Sequence, residues 1–378
     1  MFRPFRQYHI LLILNEYEQQ TLPLDLFLSN YFRLRKAVGA KDRAYIAETI
    51  YAMTRWRGLL DYLCEGTIDW DKRLDLFLNP KFDDAKKRKD IPTHVRLSFP
   101  KNLYDQLVNS LGEETANKIC SISNTSAPTT VRINPIKAKR DEMFDKWKEQ
   151  YPVRLCEKSP EGIVFERRIN FFELPEFKQG CFEIQDEGSQ LLAQLMQVKP
   201  GQLVMDYCAG AGGKTLAFAP KMENKGQIYL HDIRKHALND ARKRLRRAGI
   251  QNAQVVYDQE EKLKKLKKNM DWVLVDAPCT GTGTMRRNPD MKWKYENEVL
   301  VRLIGQQRVI FEKALSYLKP NGYIVYATCS LLKEENQEQV DHFINTYGLE
   351  MVGNVFESLP VFGGMDGFFG AVLKKMNT

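Results

Sequence analysis

The sequence contains no C-x-x-C pair and no other cysteine spacing typical of metal ligands. Its cysteines number seven, which is odd, so they cannot all pair in disulfide bonds within one chain. Both features favour reduced thiols in a cytoplasmic protein over a secreted one, and they predict that the protein binds no metal. The seven positions are Cys64, Cys120, Cys156, Cys181, Cys208, Cys279 and Cys329.

Long hydrophobic runs, internal repeats and low-complexity segments are also missing. The apolar run from His9 to Leu14 is far too short to span a bilayer, and no small-residue cleavage site follows it. With 43% hydrophobic and 28% charged residues, the composition is close to that of average globular proteins. We therefore expect a soluble, cytoplasmic monomer without a membrane partner, and its 378 residues predict two or three domains.

Acidic residues are too few to balance the basic ones. There are 57 Lys and Arg against 48 Asp and Glu, which gives a formal net charge of +9 and a pI near 9.0. This excess favours a polyanionic partner such as nucleic acid. Charge alone does not establish such a partner, because many basic proteins bind no nucleic acid.

Strand-like alternation is nearly absent from the first third of the chain, which predicts a helical domain over residues 1–122. Ile46, Ile50 and Met53 recur at helical spacing there, whereas the charged stretch 81–92 is typical of an exposed loop. A β-rich run at 127–134, followed by a helical pattern, predicts a small α+β linker module over residues 123–182.

Residues 183–378 have the pattern of a doubly wound, Rossmann-like α/β domain, because short apolar runs alternate with helical stretches. The runs lie at 203–205, 228–230, 255–257, 272–275 and 323–326. Ligands bind beyond the carboxyl ends of such parallel strands. The polar residues found there are Asp206, Cys208, Asp232, Asp258, Asp276, Cys279 and Cys329.

A glycine-rich turn follows the first run, within residues 206–215. Glycines let the backbone approach a nucleotide-like ligand closely, and the following helix adds positive potential at its amino terminus. The spacing excludes a phosphate-binding P-loop, because Cys208 stands where the first glycine of that motif belongs. The residues of the turn that we expect to contact a cofactor are Cys208, Ala209, Gly210, Ala211, Gly212, Gly213 and Lys214.

Two further carboxylates complete a predicted adenosine site. Asp232 follows the second strand and is suited to accept hydrogen bonds from both ribose hydroxyls. Asp258 follows the third strand, where it is expected to face the adenine. Either residue taken singly is equally compatible with a helix cap or a loop carboxylate.

Two cysteine-containing segments follow the fourth and fifth runs. Residues 276–283 combine Asp276 and Cys279 with the basic run 286–293, which suits chemistry on an electron-poor base with phosphates nearby. Residues 326–336 contain Cys329. A single free cysteine is most often buried and inert, but two at neighbouring strand ends above a cofactor site favour a catalytic role.

These segments resemble the signature motifs of the Sun-type (NOP/Sun, RsmB-like) RNA cytosine-5 methyltransferases. The similarity runs from about residue 185 to residue 374 and includes the motifs at 206–215, 276–293 and 326–336. One departure is Ala211, since the commoner family form has proline in this turn. We expect cofactor binding to survive, because Gly210 provides an extra glycine to shape the loop.

The resemblance implies S-adenosylmethionine as cofactor, bound by the turn together with Asp232, Asp258 and Asp276. It also implies that Cys329 attacks C6 of the cytosine, that Cys279 assists product release, and that Asp276 contacts the base. Without the thiolate, C5 of cytosine is too poor a nucleophile. For the RNA itself, we expect contacts to phosphates and a neighbouring base from Arg286, Arg287, Lys292 and Trp293.

The amino-terminal stretch 39–56 is similar to the NusB-like RNA-binding domain of family members that modify small-subunit ribosomal RNA. It favours 16S ribosomal RNA as the substrate over transfer RNA. A DNA cytosine-5 methyltransferase remains an alternative, because its nucleophile lies in a Pro-Cys pair like Pro278 and Cys279. A third alternative is a ribosome-assembly factor that binds RNA without turnover.

Overall fold

A computed structural model describes residues 3–258 and 261–376 and divides the chain into two compact units. We call them the helical unit, Met1–Ser126 with Thr284–Asn297, and the α/β unit, Ala127–Gly283 with Glu298–Thr378. Within the described residues, no helix is both long enough and apolar enough to cross a membrane.

The helical unit confirms the predicted helical amino-terminal region. Its core joins α1, α2, α3 and α5 through buried aliphatic side chains such as Ile13, Leu28 and Ile50. Residues 81–92 are not wholly an exposed loop, since Phe82 is buried in a short helix. The helices are α1 (Phe5–Tyr17), α2 (Leu24–Leu34), α3 (Ala40–Arg55), α4 (Arg57–Leu63), α5 (Trp70–Leu78), α6 (Phe82–Ala85), α7 (Thr93–Arg96), α8 (Lys101–Leu111) and α9 (Glu113–Ser123).

Residues 284–297 belong to the helical unit, although the sequence pattern placed them in the catalytic domain. The reason is a set of contacts with α3 and α9. The Lys292 ammonium donates to the Arg55 carbonyl at 2.6 Å and to Asn124 Oδ1 at 2.8 Å. The Trp293 indole N–H donates to the Thr54 carbonyl at 2.7 Å. These partners are distant in sequence, so local periodicity could not reveal them.

The first part of the α/β unit is the predicted linker module. It is a four-stranded antiparallel sheet in the order β2-β3-β1-β4, and its core contains Trp147, Phe165 and Phe182. The fourth strand extends to residue 184, slightly beyond the predicted boundary at 182. Its elements are β1 (Thr129–Ile133), α10 (Arg140–Lys148), β2 (Val153–Leu155), β3 (Gly162–Phe165), α11 (Pro175–Lys178) and β4 (Phe182–Ile184).

The rest of the α/β unit is built on an eight-stranded sheet with the order β10-β12-β9-β8-β5-β6-β7 and with β11 paired to β12. All five predicted strands are present and parallel. The strands are β5 (Leu203–Asp206), β6 (Gln227–His231), β7 (Ala253–Val256), β8 (Met270–Asp276), β9 (Leu318–Thr328), β10 (Leu349–Met351), β11 (Phe356–Ser358) and β12 (Phe368–Lys375). The helices are α12 (Glu187–Ala193), α13 (Gly213–Phe218), α14 (Lys235–Ala248), α15 (Glu261–Lys265), α16 (Asn297–Leu315) and α17 (Gln337–Tyr347).

This strand order determines where a ligand can bind. The chain adds β6 and β7 on one side of β5 and then adds β8 and β9 on the other. The reversal leaves a crevice beyond the carboxyl ends of β5 and β8, between helices that leave in opposite directions. Apolar side chains cover both faces of the sheet in two buried clusters.

Candidate active site

A cavity of about 770 Å³ lies at this crevice. The glycine-rich turn after β5 forms one wall, and the residues that follow β6, β7 and β8 form the others. Its volume is in the range typical of cofactor sites. The predicted site residues on the lining are Cys208, Ala209, Gly210, Ala211, Gly213, Lys214, Asp232, Asp258 and Asp276.

The glycine-rich turn is shaped by two left-handed residues. Gly210 has φ 53° and Gly212 has φ 77°, conformations that cost little only for glycine. Ala211, the departure from the commoner family form, is held by its backbone, because the Arg244 guanidinium donates to its carbonyl at 2.8 Å. A proline is therefore not required to keep this turn in place.

Asp206, the last residue of β5, connects the start of the glycine-rich turn to α13 by a hydrogen bond. Its Oδ2 accepts from Thr215 Oγ1 at 2.6 Å, whereas Oδ1 has no hydrogen-bond partner among the described residues. Burial raises the pKa of Asp206 to about 7, and the hydrogen bond from Thr215 offsets only part of this effect.

Asp232 lies where the ribose carboxylate is expected, at the end of β6. Its carboxylate accepts from the Gly210 N–H at 2.8 Å and from the side chain of Arg234 at 2.9 Å. Burial by itself would raise the pKa of Asp232, but these hydrogen bonds lower it, so the carboxylate is ionised. Arg234 thus covers the oxygens that a ribose would use, a partner that sequence reasoning missed.

Asp258 is also at the cavity, but it is not alone there. It accepts from Nε2 of the buried His231 at 2.7 Å, while Nδ1 of the same ring lies 2.8 Å from the Tyr207 carbonyl. His231 stacks on the Tyr207 ring with a centroid distance of 4.5 Å. Both ring nitrogens of His231 therefore face hydrogen-bond acceptors. Sequence reasoning missed His231, since a histidine at a strand end is most often structural.

Cys279 and Cys329 meet at the ends of β8 and β9. Their Sγ atoms are 3.4 Å apart and both side chains are partly exposed. Donation from the Cys279 thiol lowers the pKa of Cys329, and the same contact holds the pKa of Cys279 well above its usual value. These opposite pKa shifts favour a thiolate on Cys329 and a proton on Cys279.

Asp276 and Lys214 form an ion pair beside the two thiols. Burial by itself would lower the pKa of Lys214, but the Asp276 carboxylate raises it, so the ammonium keeps its charge. The Lys214 charge lowers the pKa of Cys329, whereas the Asp276 carboxylate raises it more strongly. One of the predicted cofactor residues, Lys214, thus connects the glycine-rich turn to the predicted catalytic group Asp276.

Glu335 supports the loop that contains Cys279. It is fully buried and accepts from the Thr280 N–H at 2.9 Å, from the Thr280 hydroxyl and from the Gln307 amide at 2.9 Å. Gln307 in turn donates to the Pro278 carbonyl at 3.0 Å. Burial raises the pKa of Glu335. The sequence motif contained Glu335, but only the structure shows which loop it holds.

The segment near the carboxyl end joins both cysteine loops. The Gly283 N–H donates to the Cys329 carbonyl at 2.9 Å, and the Gly367 N–H donates to the Gly283 carbonyl at 2.9 Å. An added Cβ at Gly283 would lie 2.2 Å from the Gly367 carbonyl oxygen. Three chain segments are therefore packed too closely here for any larger residue at position 283.

The predicted RNA-contacting residues belong to the helical unit. Arg286 is 1% exposed and Lys292 is 2% exposed, so their side chains do not fit the prediction that they hold phosphates. Trp293 is half-buried and packs against Gly58, where an added Cβ would lie 2.8 Å from the ring. Arg287 is half-buried. Within this basic run, the Lys292 ammonium is used for contacts inside the helical unit.

Strand order, glycine-rich turn and strand-end carboxylates together define a Rossmann-like, S-adenosylmethionine-dependent methyltransferase. A family model described as 16S rRNA methyltransferase RsmB/F matches residues 193–374, and a model of the RsmF/B-like ferredoxin-like domain matches residues 99–171. The match to the ferredoxin-like domain, residues 99–171, overlaps the linker module.

The chain is similar to ribosomal RNA small subunit methyltransferase B of Proteus mirabilis, with 31% identity over 88% of this chain and 77% of that protein. The corresponding Vibrio vulnificus protein is 33% identical over 68% of this chain, which spans 62% of its length. A solved methyltransferase homolog from Pyrococcus horikoshii aligns with a TM-score of 0.65 at 27% identity, covering 79% of this chain and 100% of that one. The chain belongs to the RsmB/F family of methyltransferases.

The residues present fit S-adenosylmethionine. Asp232 and Asp258 provide carboxylates for ribose and adenine, and an added Cβ at Gly213, which lines the cavity, meets no atom within 4 Å. The cavity continues to Asp276 and Pro278, next to Cys279. A cofactor whose adenosine contacts Asp232 and Asp258 would therefore extend toward the two thiols.

Proposed function

We propose that this chain methylates C5 of a cytosine in RNA, with 16S ribosomal RNA as the substrate. The observation that carries the proposal is the pair of thiols, Cys279 and Cys329, 3.4 Å apart beside the cofactor cavity. A methyltransferase acting on oxygen or nitrogen needs no cysteine nucleophile, whereas C5 of cytosine does. The named activity of the relatives on small-subunit ribosomal RNA supports the choice of RNA.

Cys329 acts first in this proposal. Its thiolate, favoured by Cys279 and by the Lys214 charge, adds to C6 and forms a carbon–sulfur bond. This addition moves electron density to C5, which can then take the methyl group. S-adenosylmethionine supplies that group as an electrophilic methyl on a sulfonium.

Asp276 stabilises the negative charge that develops on the ring. The Lys214 ammonium holds Oδ2 of Asp276, so the orientation of the carboxylate is fixed before the base arrives. A group fixed in advance stabilises developing charge without reorganisation cost. In our proposal Asp276 and N3 of the cytosine share a proton, because a bare carboxylate would repel the negative charge that develops on the ring.

Cys279 completes the reaction by removing the C5 proton. While Cys329 is a thiolate, its proximity keeps the pKa of Cys279 high. Once Cys329 is bonded to C6 it has no charge, so this effect disappears and the pKa of Cys279 falls. The Cys279 thiol can then lose its proton to solvent, and the resulting thiolate takes the proton from C5. The released electron pair then breaks the bond between C6 and Cys329, which returns as a thiolate.

The test uses the purified chain, an unmodified transcript of 16S ribosomal RNA and S-adenosylmethionine, followed by bisulfite sequencing. We expect one cytosine to become resistant, and we expect the same cytosine to lose its methyl group in cells without the protein. Parallel reactions contain transfer RNA transcripts and duplex DNA. Methylation confined to either would overturn the proposed substrate, and RNA binding without transfer to any of them would indicate a non-catalytic assembly factor.

A further inference from the structure

A second cavity lies at the opposite end of the sheet from the cofactor. It has a volume of about 670 Å³ and is lined by Lys137, Arg242, Arg246, Gln251 and Gln254, among others. These residues come from the turn after β1, the carboxyl-terminal half of α14 and the start of β7. We call this surface the basic groove. Asp258 and the thiols follow the opposite, carboxyl ends of their strands, so the basic groove is separate from the active site.

The arginines of α14 are used in two different ways. Arg244 and Arg247 both bind the buried carboxylate of Glu183 and so hold α14 against the linker module. Arg242 and Arg246 are exposed, and within the described residues neither has a carboxylate partner. The hydrogen bond found for Arg242 is a long one of 3.4 Å to the Tyr257 hydroxyl. The fold thus leaves these two guanidinium groups available to an anion outside the chain.

The surrounding sequence extends this positive charge. Residues 235–268 contain eleven Lys and Arg against four Asp and Glu, in a chain whose net charge is +9. Lys262 in α15 donates to Gln254, which lines the basic groove, and Lys264 and Lys265 of the same helix are exposed. The positive surface therefore continues from the basic groove onto α15.

We propose that the basic groove binds the phosphate backbone of RNA flanking the segment that enters the active site. The proposal rests on the proposed function, because it concerns the same RNA. One guanidinium group can donate two parallel hydrogen bonds to a phosphate. Arg242 and Arg246 lie four residues apart, on one face of α14. The amide groups of Gln251 and Gln254 are suited to sugar hydroxyls and further phosphate oxygens. The continuation onto α15 fits a polymer rather than a small anion.

The experiment compares R242E/R246E with the charge-matched control K148E/K243E. Lys148 and Lys243 are exposed, pair with Asp145 and Asp240, and do not line the basic groove. The probes are a full 16S ribosomal RNA transcript and S-adenosylmethionine. We expect R242E/R246E to bind the transcript at least tenfold more weakly than wild type, since each charge-assisted contact contributes about tenfold in affinity. The slope of log affinity against log salt should fall by about two.

Cofactor binding by both double variants should equal that of wild type, which shows that they are folded. Binding of the transcript by R242E/R246E at the level of K148E/K243E would overturn the role of the basic groove while leaving the proposed function intact. Failure of the wild type to bind the transcript would overturn both. Unchanged RNA affinity together with lost binding of polyglutamate would assign the basic groove to an acidic protein instead.

Discussion

The Sγ atoms of Cys279 and Cys329 lie 3.4 Å apart although 50 residues separate them in the chain. The distance is short enough for the two sulfurs to share one proton. Because Cys329 is stabilised as the thiolate and Cys279 as the thiol, the pair is asymmetric before any substrate binds. This asymmetry supports the different roles that we propose for two chemically identical side chains.

The two cysteine variants should therefore fail differently. Cys329→Ala is expected to abolish both methyl transfer and covalent attachment, because C5 is never activated. Cys279→Ala should still add to C6 and transfer the methyl group but should not remove the C5 proton. A protein–RNA adduct that survives denaturing electrophoresis should then accumulate. An adduct from Cys329→Ala and none from Cys279→Ala would reverse the assignment.

Asp232→Ala should weaken binding of S-adenosylmethionine. Loss of charge-assisted hydrogen bonds to the ribose costs about 1.5–3 kcal/mol, and we expect the lower part of this range because Arg234 must first release the carboxylate. Calorimetry measures the affinity, and Asp240→Ala, which removes an exposed carboxylate of α14, is the matched control. RNA binding should be unaltered in both variants. Equal cofactor affinity in the two would remove Asp232 from the site.

Glu335→Gln should shift the reactivity of the two thiols to lower pH. The Glu335 carboxylate raises the pKa of both Cys279 and Cys329, so a neutral amide that keeps one acceptor oxygen should lower both. The pH profile of alkylation by iodoacetamide measures this shift, and Glu338→Gln, which is exposed, is the matched control. An identical profile in the two variants would limit Glu335 to a structural role.

Asp206→Asn should change how stability depends on pH. The folded-state pKa of Asp206 is about 7, well above the ordinary value of 3.8. Its contribution is therefore fully present below about pH 4, is lost as pH rises toward 7, and is constant above that. The variant lacks this dependence, so its free energy of unfolding relative to wild type should rise between pH 4 and 7 by a few kcal/mol. Chemical denaturation at several pH values measures it, and a constant difference would contradict the raised pKa.

Trp293→Phe should destabilise the helical unit without reducing RNA affinity. Phenylalanine retains an aromatic ring but cannot donate to the Thr54 carbonyl, a loss of about 1 kcal/mol. Urea unfolding measures stability, and RNA affinity is measured where both proteins are folded. Reduced RNA affinity of the folded variant would contradict this prediction and favour a contact between the indole of Trp293 and RNA.

The amino-acid sequence by itself determined the five parallel strands and the residues at their carboxyl ends. Buried parallel strands are short, nearly continuous apolar runs, which is a local property that needs no knowledge of neighbours. Asp232, Asp258 and Asp276 follow such runs within two residues, so their place at the cavity could be predicted. The Sun-type motifs indicated the methyltransferase family, and the family matches confirmed it.

Tertiary structure alone decided how side chains of the same type are used. Arg242, Arg244, Arg246 and Arg247 are equivalent in a sequence pattern, yet only Arg244 and Arg247 reach Glu183, 61 and 64 residues away. The basic run 286–293 was expected to contact RNA, but contacts with α3 bury Lys292. Such outcomes depend on which distant carboxylate or carbonyl lies within about 3 Å of a charged group, and hydrogen bonds of that length are specified only by the packed chain.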